Sequence, residues 1–447
     1  MTQDDWAAWL ADRIRVRNVP GAAFCCDVSG ATIEVAAGFA DLQRRRPASL
    51  QTRFRLGSIV KVLTGLALVR LADAGSLDLH APVIDVWPDL ALASPTARRT
   101  VTSLHLLSHA AGFYGDVAPP ANSDGPDSLE RYAQDGDRFE QTAAPGARFS
   151  YSNAAFALAG RLTEVLTGEV WDEHVTATIL APLGMANSRM LPGGADDAEA
   201  AISYAATAEG LKVVGTEPLT RGLGPAGACA RGTAPDLLRL ARALSAPGGD
   251  LGVFAERMCG LVTPGPTPTF AHGWGLGMAR FDDTGEVFGH DGVANGQMAF
   301  LRMAPRHGLR LAMMTNGGDA RALMLDVMDQ LSAQVGATLL PPRPIWPPGP
   351  DSRLQAGRYA GRYAAGAMEV EVLVRDGEFV ALVPNADGSA AAHVLRHQAD
   401  DPSRSLFLAR FPGAAEPLHQ RFLGDGSAEA PFDALVFRGR LLPRRDV

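Results

Sequence analysis

Lysine is almost missing from this chain. Lys61 and Lys212 stand against 39 arginines in 447 residues. Arginine serves as well as lysine on a solvated surface, but its guanidinium keeps its proton in proteins. A lysine retained in such a background therefore points to a place where a proton must come off. Cysteine is scarce too. Cys25, Cys26, Cys229 and Cys259 show neither metal-ligand nor disulfide-framework spacing. Cys25 and Cys26 fall in a strand-like run and are expected to be buried. His105 and His109 are four apart, yet a zinc site needs further ligands nearby, so they read as structural. Long basic runs are absent and the net charge is −8, which argues against a nucleic-acid partner. No apolar run reaches membrane-spanning length. The N-terminus is acidic at Asp4 and Asp5 and lacks the basic and apolar segments of a secretory signal, so a cytoplasmic setting is expected.

The retained lysine lies three residues after Ser58, in Phe54-Arg55-Leu56-Gly57-Ser58-Ile59-Val60-Lys61. Apolar residues at Ile59, Val62, Leu63, Leu66 and Val69 predict a helix over 59–75. Residues three apart on a helix share a face, so the Ser58 hydroxyl and the Lys61 amine are expected to point the same way. Free N–H groups and the positive dipole end of the first turn favour a developing oxyanion. The pair reads as a serine nucleophile with its activating amine.

A second cluster is Arg148-Phe149-Ser150-Tyr151-Ser152-Asn153, between a Pro145-Gly146 turn and a helical pattern over 153–168. Tyr151 and Asn153 are expected on a loop, facing one cleft. Tyr151 is either a general acid–base, its pKa lowered by nearby cations, or a packing residue. Asn153 can orient the lysine and a substrate amide. A third cluster runs from Gly289 through His290, Asp291, Gly292 and Val293. Gly292 admits a ligand backbone along an edge strand. His290 can donate to a carboxylate or carbonyl. The Val293 and Ser58 amides can form an oxyanion hole. Alone, Gly-His-Asp-Gly reads as a hairpin turn.

In order and approximate spacing, Ser58-x-x-Lys61, Tyr151-x-Asn153 and His290-x-Gly292 resemble the serine β-lactamase and penicillin-binding-protein superfamily, in its class C-like branch. Leu106-Leu107-Ser108-His109-Ala110-Ala111-Gly112 and Gly273-Trp274-Gly275-Leu276-Gly277 agree. The resemblance covers roughly residues 5–338. It implies catalytic roles for Ser58, Lys61, Tyr151, Asn153 and His290. It also implies substrate binding at Asp291 and Gly292, and no metal or cofactor. Class C β-lactamases carry Lys-Thr-Gly at the third motif. His290-Asp291-Gly292 is instead the pattern of the esterases, D-aminopeptidases and acyltransferases of the branch, so efficient β-lactam hydrolysis is not expected.

The element order is that of an α+β fold, an antiparallel sheet with flanking helices and an inserted helical region. Helices are expected over 5–17, 59–75, 153–168, 234–245 and 319–335. Strands are expected over 21–28, 31–38, 286–290, 297–303 and 309–315. The loop from Tyr114 to Ala147 is long enough to border a substrate cleft. Six prolines in residues 341–350 mark a stiff linker. The expected organisation is a catalytic domain over 1–338, a linker over 339–353 and an all-β barrel over 354–447. Strands in the barrel are expected over 368–374, 378–383, 405–410 and 434–437. This last part resembles the lipocalin-like domain attached to some serine enzymes of the superfamily. Arg438, Arg440, Arg444 and Arg445 read as a solvated tail, or as a patch for an acidic partner.

The expected chemistry is an acyl-Ser58 intermediate formed from a peptide ester, thioester or amide. The two-part layout resembles penicillin-binding-protein-type thioesterases, which release and cyclise nonribosomal peptides. That resemblance implies a peptide or small acyl substrate with a D-residue at the acyl site, and a peptidyl carrier protein as a partner. Plain hydrolysis by a D-aminopeptidase, DD-peptidase or esterase is the alternative. A penicillin-binding sensor that stays acylated is another. The oligomeric state is left open.

Overall fold

Residues 21–28, Gly-Ala-Ala-Phe-Cys-Cys-Asp-Val, carry one charge and are buried nearly throughout, as a strand covered on both faces must be. In the computed structural model this strand, β1 (Gly21–Val28), lies inside a nine-stranded antiparallel sheet. The structure describes residues 1–445 apart from 122–123, 192–196, 208, 216–219, 246–250, 268–269, 341–342, 348, 350, 352–353, 386, 402–403, 412–416 and 426–429. The other strands of this sheet are β2 (Ala31–Asp41), β3 (Arg46–Pro47), β4 (Thr263–Thr267), β5 (Ala271–Trp274), β6 (Ala279–Arg280), β7 (Phe288–Ala294), β8 (Gln297–Ala304) and β9 (Leu309–Thr315). Their order across the sheet is β3-β2-β1-β9-β8-β7-β6-β5-β4.

One sheet face packs on α1 (Gln3–Val16) and α5 (Ala320–Val335), through Trp6, Leu10, Phe24, Phe300, Met313 and Leu323. The opposite face carries Ala23, Cys25, Ala299, Leu301 and Met314 and meets the helical region. At its centre is α2 (Val60–Asp73), in which residues 60–69 are all buried. A helix apolar on every side has to sit inside the protein. α3 (Asn153–Thr167) and α4 (Ala234–Ser245) pack in the same core.

The C-terminal part is an eight-stranded up-and-down meander: β10 (Gly361–Ala365), β11 (Met368–Arg375), β12 (Glu378–Pro384), β13 (Ala390–Asp401), β14 (Arg404–Ala409), β15 (Leu418–Leu423), β16 (Ala434–Phe437) and β17 (Arg440–Pro443). Tyr363 bridges to Arg444, and the Arg445 amide donates to the Arg362 carbonyl at 2.8 Å, so the meander nearly closes into a barrel. The Tyr359 ring fills its interior, 5.1–5.3 Å from Phe379, Phe407, Phe422 and Phe432.

Several expectations shift. Ser58 is not in the α-helix but in a tight turn, Gly57–Ile59, that leads into it. His290 to Val293 are not a turn; they lie within β7. The turn falls at Asn295-Gly296, whose φ angles of 45° and 82° suit a tight hairpin that favours Asn-Gly. Asn153 is the first residue of α3 and not part of a loop, because the Ser152 hydroxyl caps that helix. The supposed loop over 114–147 contains a helix, Ser128–Gln134. Arg440 to Pro443 are a barrel strand and no solvated tail. Within the proline-rich segment, Pro341, Pro342, Pro348 and Pro350 lie outside the described residues. No helix among the described residues is long and apolar enough to cross a membrane.

Candidate active site

Lys61 is completely buried, and its Nζ lies within hydrogen-bond distance of three oxygens. They are Ser58 Oγ at 3.0 Å, Asn153 Oδ1 at 2.7 Å and the Ala226 carbonyl at 2.7 Å. Burial pushes the amine well below its ordinary pKa, and the Arg440 guanidinium pushes the same way against Asp116. The geometry decides what the neutral amine does. An amine has two N–H groups and one lone pair. The Asn153 and Ala226 oxygens can only accept. The lone pair must then face Ser58, the one partner with a proton to give.

Asn153 is held in turn. Its Nδ2 donates to Asp116 Oδ1 at 2.8 Å, and Arg440 grips the same carboxylate with Nε at 2.8 Å and Nη2 at 3.0 Å. A chain of polar contacts thus runs from the barrel to the nucleophile. The barrel is fastened here by its last hairpin. Arg438 and Gly439 adopt φ of 48° and 80°, as a tight hairpin turn requires. The Gly439 carbonyl accepts from the Tyr151 amide at 2.8 Å, and the Leu441 amide donates to Ser150 Oγ at 3.1 Å. The Arg440 guanidinium lies 4.7 Å from the centre of the Tyr151 ring.

Tyr151 is buried and lines the same pocket as Ser58. The expectation that cations would lower its pKa is corrected. Burial raises it, outweighing the nearby Ser58 hydroxyl and Arg440. The phenol stays protonated, which suits a proton donor, while Lys61 is the better base. His109 supports Tyr151 from behind, stacked at 4.2 Å, and accepts the Ser152 amide at Nδ1 over 3.0 Å. His105 serves a helix cap, its Nδ1 accepting from the Thr102 amide at 3.2 Å. No group of three or more His, Cys, Asp or Glu among the described residues is placed to hold a metal.

His290 uses its donor on a carbonyl of the chain itself. Its Nδ1 lies 2.7 Å from the carbonyl of Asp291, which can only accept, so Nδ1 carries the proton. Burial and Lys61 bring its pKa down to about 3, so the ring is neutral at pH 7. Its single donor is therefore used within the chain, and the buried Nε2 presents an acceptor with no partner among the described residues. Asp291 pairs with Arg302 at 2.6 Å, with Arg321 at 3.8 Å. Burial works against its charge, but the two arginines hold its pKa below the usual carboxylate range. The missing side chain of Gly292 also serves the chain itself: a Cβ there would come within 1.9 Å of the Leu56 carbonyl. Its missing side chain lets β7 touch the nucleophile turn. Gly57, with φ of 51°, completes this contact, because a Cβ on it would reach 2.7 Å from the Val293 amide nitrogen. The Ser58 and Val293 backbones are thereby brought together.

The pocket at Ser58 has a volume of about 210 Å³ and gathers Tyr151, Asn153, His290, Asp291, Val293 and Arg440. Lys61 and Gly292 lie beside it, so the catalytic, oxyanion and binding candidates named from sequence come together. Three contributors were missed: Asp116, Ala226 and Arg440. Ala226 acts through a carbonyl, which no side chain announces, and Arg440 is one arginine among 39.

The opposed effects of Arg440 and Asp116 on Lys61 give a paired prediction. Arg440→Gln raises the Lys61 pKa and moves the acid limb of the acylation pH–rate profile upward. Asp116→Asn moves it downward. Stopped-flow acylation across pH checks both, and shifts in the same direction refute the coupling.

This fold and this serine-lysine-tyrosine arrangement define a serine hydrolase and acyl-transferase class. The Beta-lactamase family model matches residues 6–332, and the chain belongs to that family, within the β-lactamase and penicillin-binding-protein superfamily. Penicillin-binding protein 4 of Amycolatopsis lactamdurans is 32% identical over 380 residues, spanning 80% of this chain and 97% of that protein. The structure of SurE with D-Leu superposes with a TM-score of 0.73 at 28% identity, covering 99% of both chains. D-amino acid amidase from Ochrobactrum anthropi SV3 shares the fold, with a TM-score of 0.63 and 21% identity over 74% of this chain and 99% of that one.

Proposed function

We propose that the protein forms an acyl-Ser58 intermediate from a peptidyl ester, thioester or amide and passes the acyl group to an amine, releasing a cyclic peptide. Neutral Lys61 takes the Ser58 proton during attack. Tyr151 delivers a proton to the leaving group, and the Ser58 and Val293 amides hold the oxyanion. Each such donor is typically worth ~3–4 kcal/mol in the transition state. The acyl-enzyme is then attacked by the peptide's own N-terminal amine, whose proton passes to the Tyr151 phenolate while Lys61 returns its proton to the departing Ser58 oxygen, and His290 Nε2 is available to accept a hydrogen bond from the amine. A peptidyl carrier protein is the proposed donor of the acyl group.

The observation that carries this reading is the barrel hairpin, which brings Arg440 into the wall of the Ser58 pocket. A pocket covered from this side shields the acyl-enzyme from water, which favours transfer over hydrolysis. The whole-length match to SurE, solved with D-Leu, supports a two-part enzyme of this kind and a D-residue at the acyl position. Hydrolysis is the second reading. It extends to slow turnover of β-lactams, and the relative named penicillin-binding protein 4 fits acylation of Ser58 by a penicillin.

Mass spectrometry of protein and product separates the two. The substrate is a linear peptide thioester with a free N-terminus and a C-terminal D-residue. The expected product is one water lighter than the free peptide acid. Ser58→Ala is expected to keep the fold and to show no protein adduct and only background product. Free acid alone with the parent protein would replace cyclisation by hydrolysis for this substrate class.

A further inference from the structure

A second cavity, of about 460 Å³, adjoins the Ser58 pocket and is more than twice its 210 Å³ volume. It lies on the α5 face of the sheet, between β8, α5 and the barrel strand β15. Its volume falls in the range of small-molecule sites, roughly 300–1,000 Å³. The two spaces share Phe270, Phe281, Asp291 and Arg321, so they meet around the edge of β7.

Two features suit the larger space to apolar matter. Its walls include Phe300, Met324, Leu325, Met328, Leu340 and Leu418. Its charges are answered by one another. Arg302 pairs with Asp291 and stacks on Phe281, 3.4 Å from the ring centre, while Arg343 pairs with Asp329. His419 is pushed down to about 4 by burial and is neutral at pH 7.

The sheet edge explains how a substrate reaches it. β6 pairs with β7 only at Gly289 and Phe288, so among the described residues Asp291–Ala294 have no strand neighbour on that side. Successive side chains on a strand point to opposite faces. His290 accordingly turns toward Ser58 and Asp291 toward α5. An acyl group laid along this edge, with its carbonyl at Ser58, sends its substituents past Asp291 and Arg321.

We propose that this cavity is a specificity subsite for an apolar substituent of the acyl donor, seated between the catalytic sheet and the barrel. It rests on the reading of Ser58 as the acyl-accepting nucleophile. It adds a size preference that the nucleophile pocket alone does not set. The substituent can be the side chain of a peptidyl residue or a linear alkyl chain, and the test distinguishes these.

The probes are N-acetyl-D-alanine and N-acetyl-D-phenylalanine thioesters, with p-nitrophenyl acetate and octanoate as the alkyl pair. In the parent protein the larger member of at least one pair is expected to have a kcat/KM higher by about 10-fold or more. A rise in the amino-acyl pair alone identifies a peptide side chain; a rise in both identifies any apolar acyl chain. Leu325→Trp fills the cavity from α5 and Leu418→Trp from the barrel. Each is expected to bring the large-to-small ratio down toward one while thermal melting stays cooperative. Equal rates in both parent pairs, or ratios untouched by both fillings, would overturn the subsite. Absence of a Ser58 adduct with every probe would overturn the nucleophile assignment beneath it.

Discussion

Exchanging Lys61 for arginine is expected to slow acylation of Ser58 by about 100- to 10,000-fold, the span of general acid–base catalysis, although the positive charge is kept. Lys61 works by losing a proton. Its depressed pKa supplies the neutral form, and two obligate acceptors, Asn153 Oδ1 and Ala226 O, turn the lone pair toward Ser58. A guanidinium has no lone pair to offer. Arginine is also larger than the sealed site, so Lys61→Met is the companion: it fits and is expected to lose as much activity. Burst kinetics with a chromogenic ester, with circular dichroism to verify folding, measure both. Arginine activity above a tenth of the parent's would show that Lys61 is not the base.

The same proton has a thermodynamic signature. Native Lys61 releases its proton at a lower pH than the unfolded chain does. Between the depressed value and the ordinary lysine value the unfolded state binds more protons, so this residue makes stability rise with pH in that window. Lys61→Met removes that slope, which denaturant unfolding at a series of pH values can read.

Gly57→Ala is expected to have the second-largest effect, a loss of roughly 100- to 1,000-fold in kcat, the size of removing one oxyanion donor. Gly57 is left-handed, with φ of 51°, and the new methyl would sit 2.7 Å from the Val293 nitrogen. The Ser58 turn and β7 must then separate, and the two amides no longer converge. Backbone strain alone costs about 1–2 kcal/mol at such a position. Gly168→Ala is the control. It also has a positive φ, 73°, but meets nothing within 4 Å, and it ends α3. It is expected to lose similar stability and to keep its activity per folded molecule. Steady-state kinetics beside melting curves compare the two, and equal activity losses would mean that strain, and not the amide geometry, is responsible.

Much of the fold was legible because its elements carry strong periodic patterns. The helices over 153–167 and 234–245 and the strands over 21–28 and 309–315 lie close to where their apolar spacing placed them. The barrel was harder. Its strands over 368–375, 378–384, 404–409 and 434–437 were anticipated, whereas 361–365, 390–401, 418–423 and 440–443 were not. Residues 361–365 and 390–401 are rich in alanine, and 418–423 and 440–443 are short and interrupted by arginine or proline, so their identity as strands comes from neighbours that complete the meander.

The chemistry at Ser58 divides the same way. The sequence by itself determined which residue types could act: one lysine kept where arginine rules, a serine one helical turn away, and a tyrosine and an asparagine ahead of a helix. Only the tertiary structure decided their protonation and their company. Burial keeps the Tyr151 phenol protonated, reversing what nearby cations suggested, and keeps His290 neutral. Packing over a separation of 324 residues sets Arg440 against Asp116, and so ties the barrel to the lysine. Local sequence carries periodicity and side-chain chemistry. Desolvation and long-range ion pairs exist only once distant segments share one space.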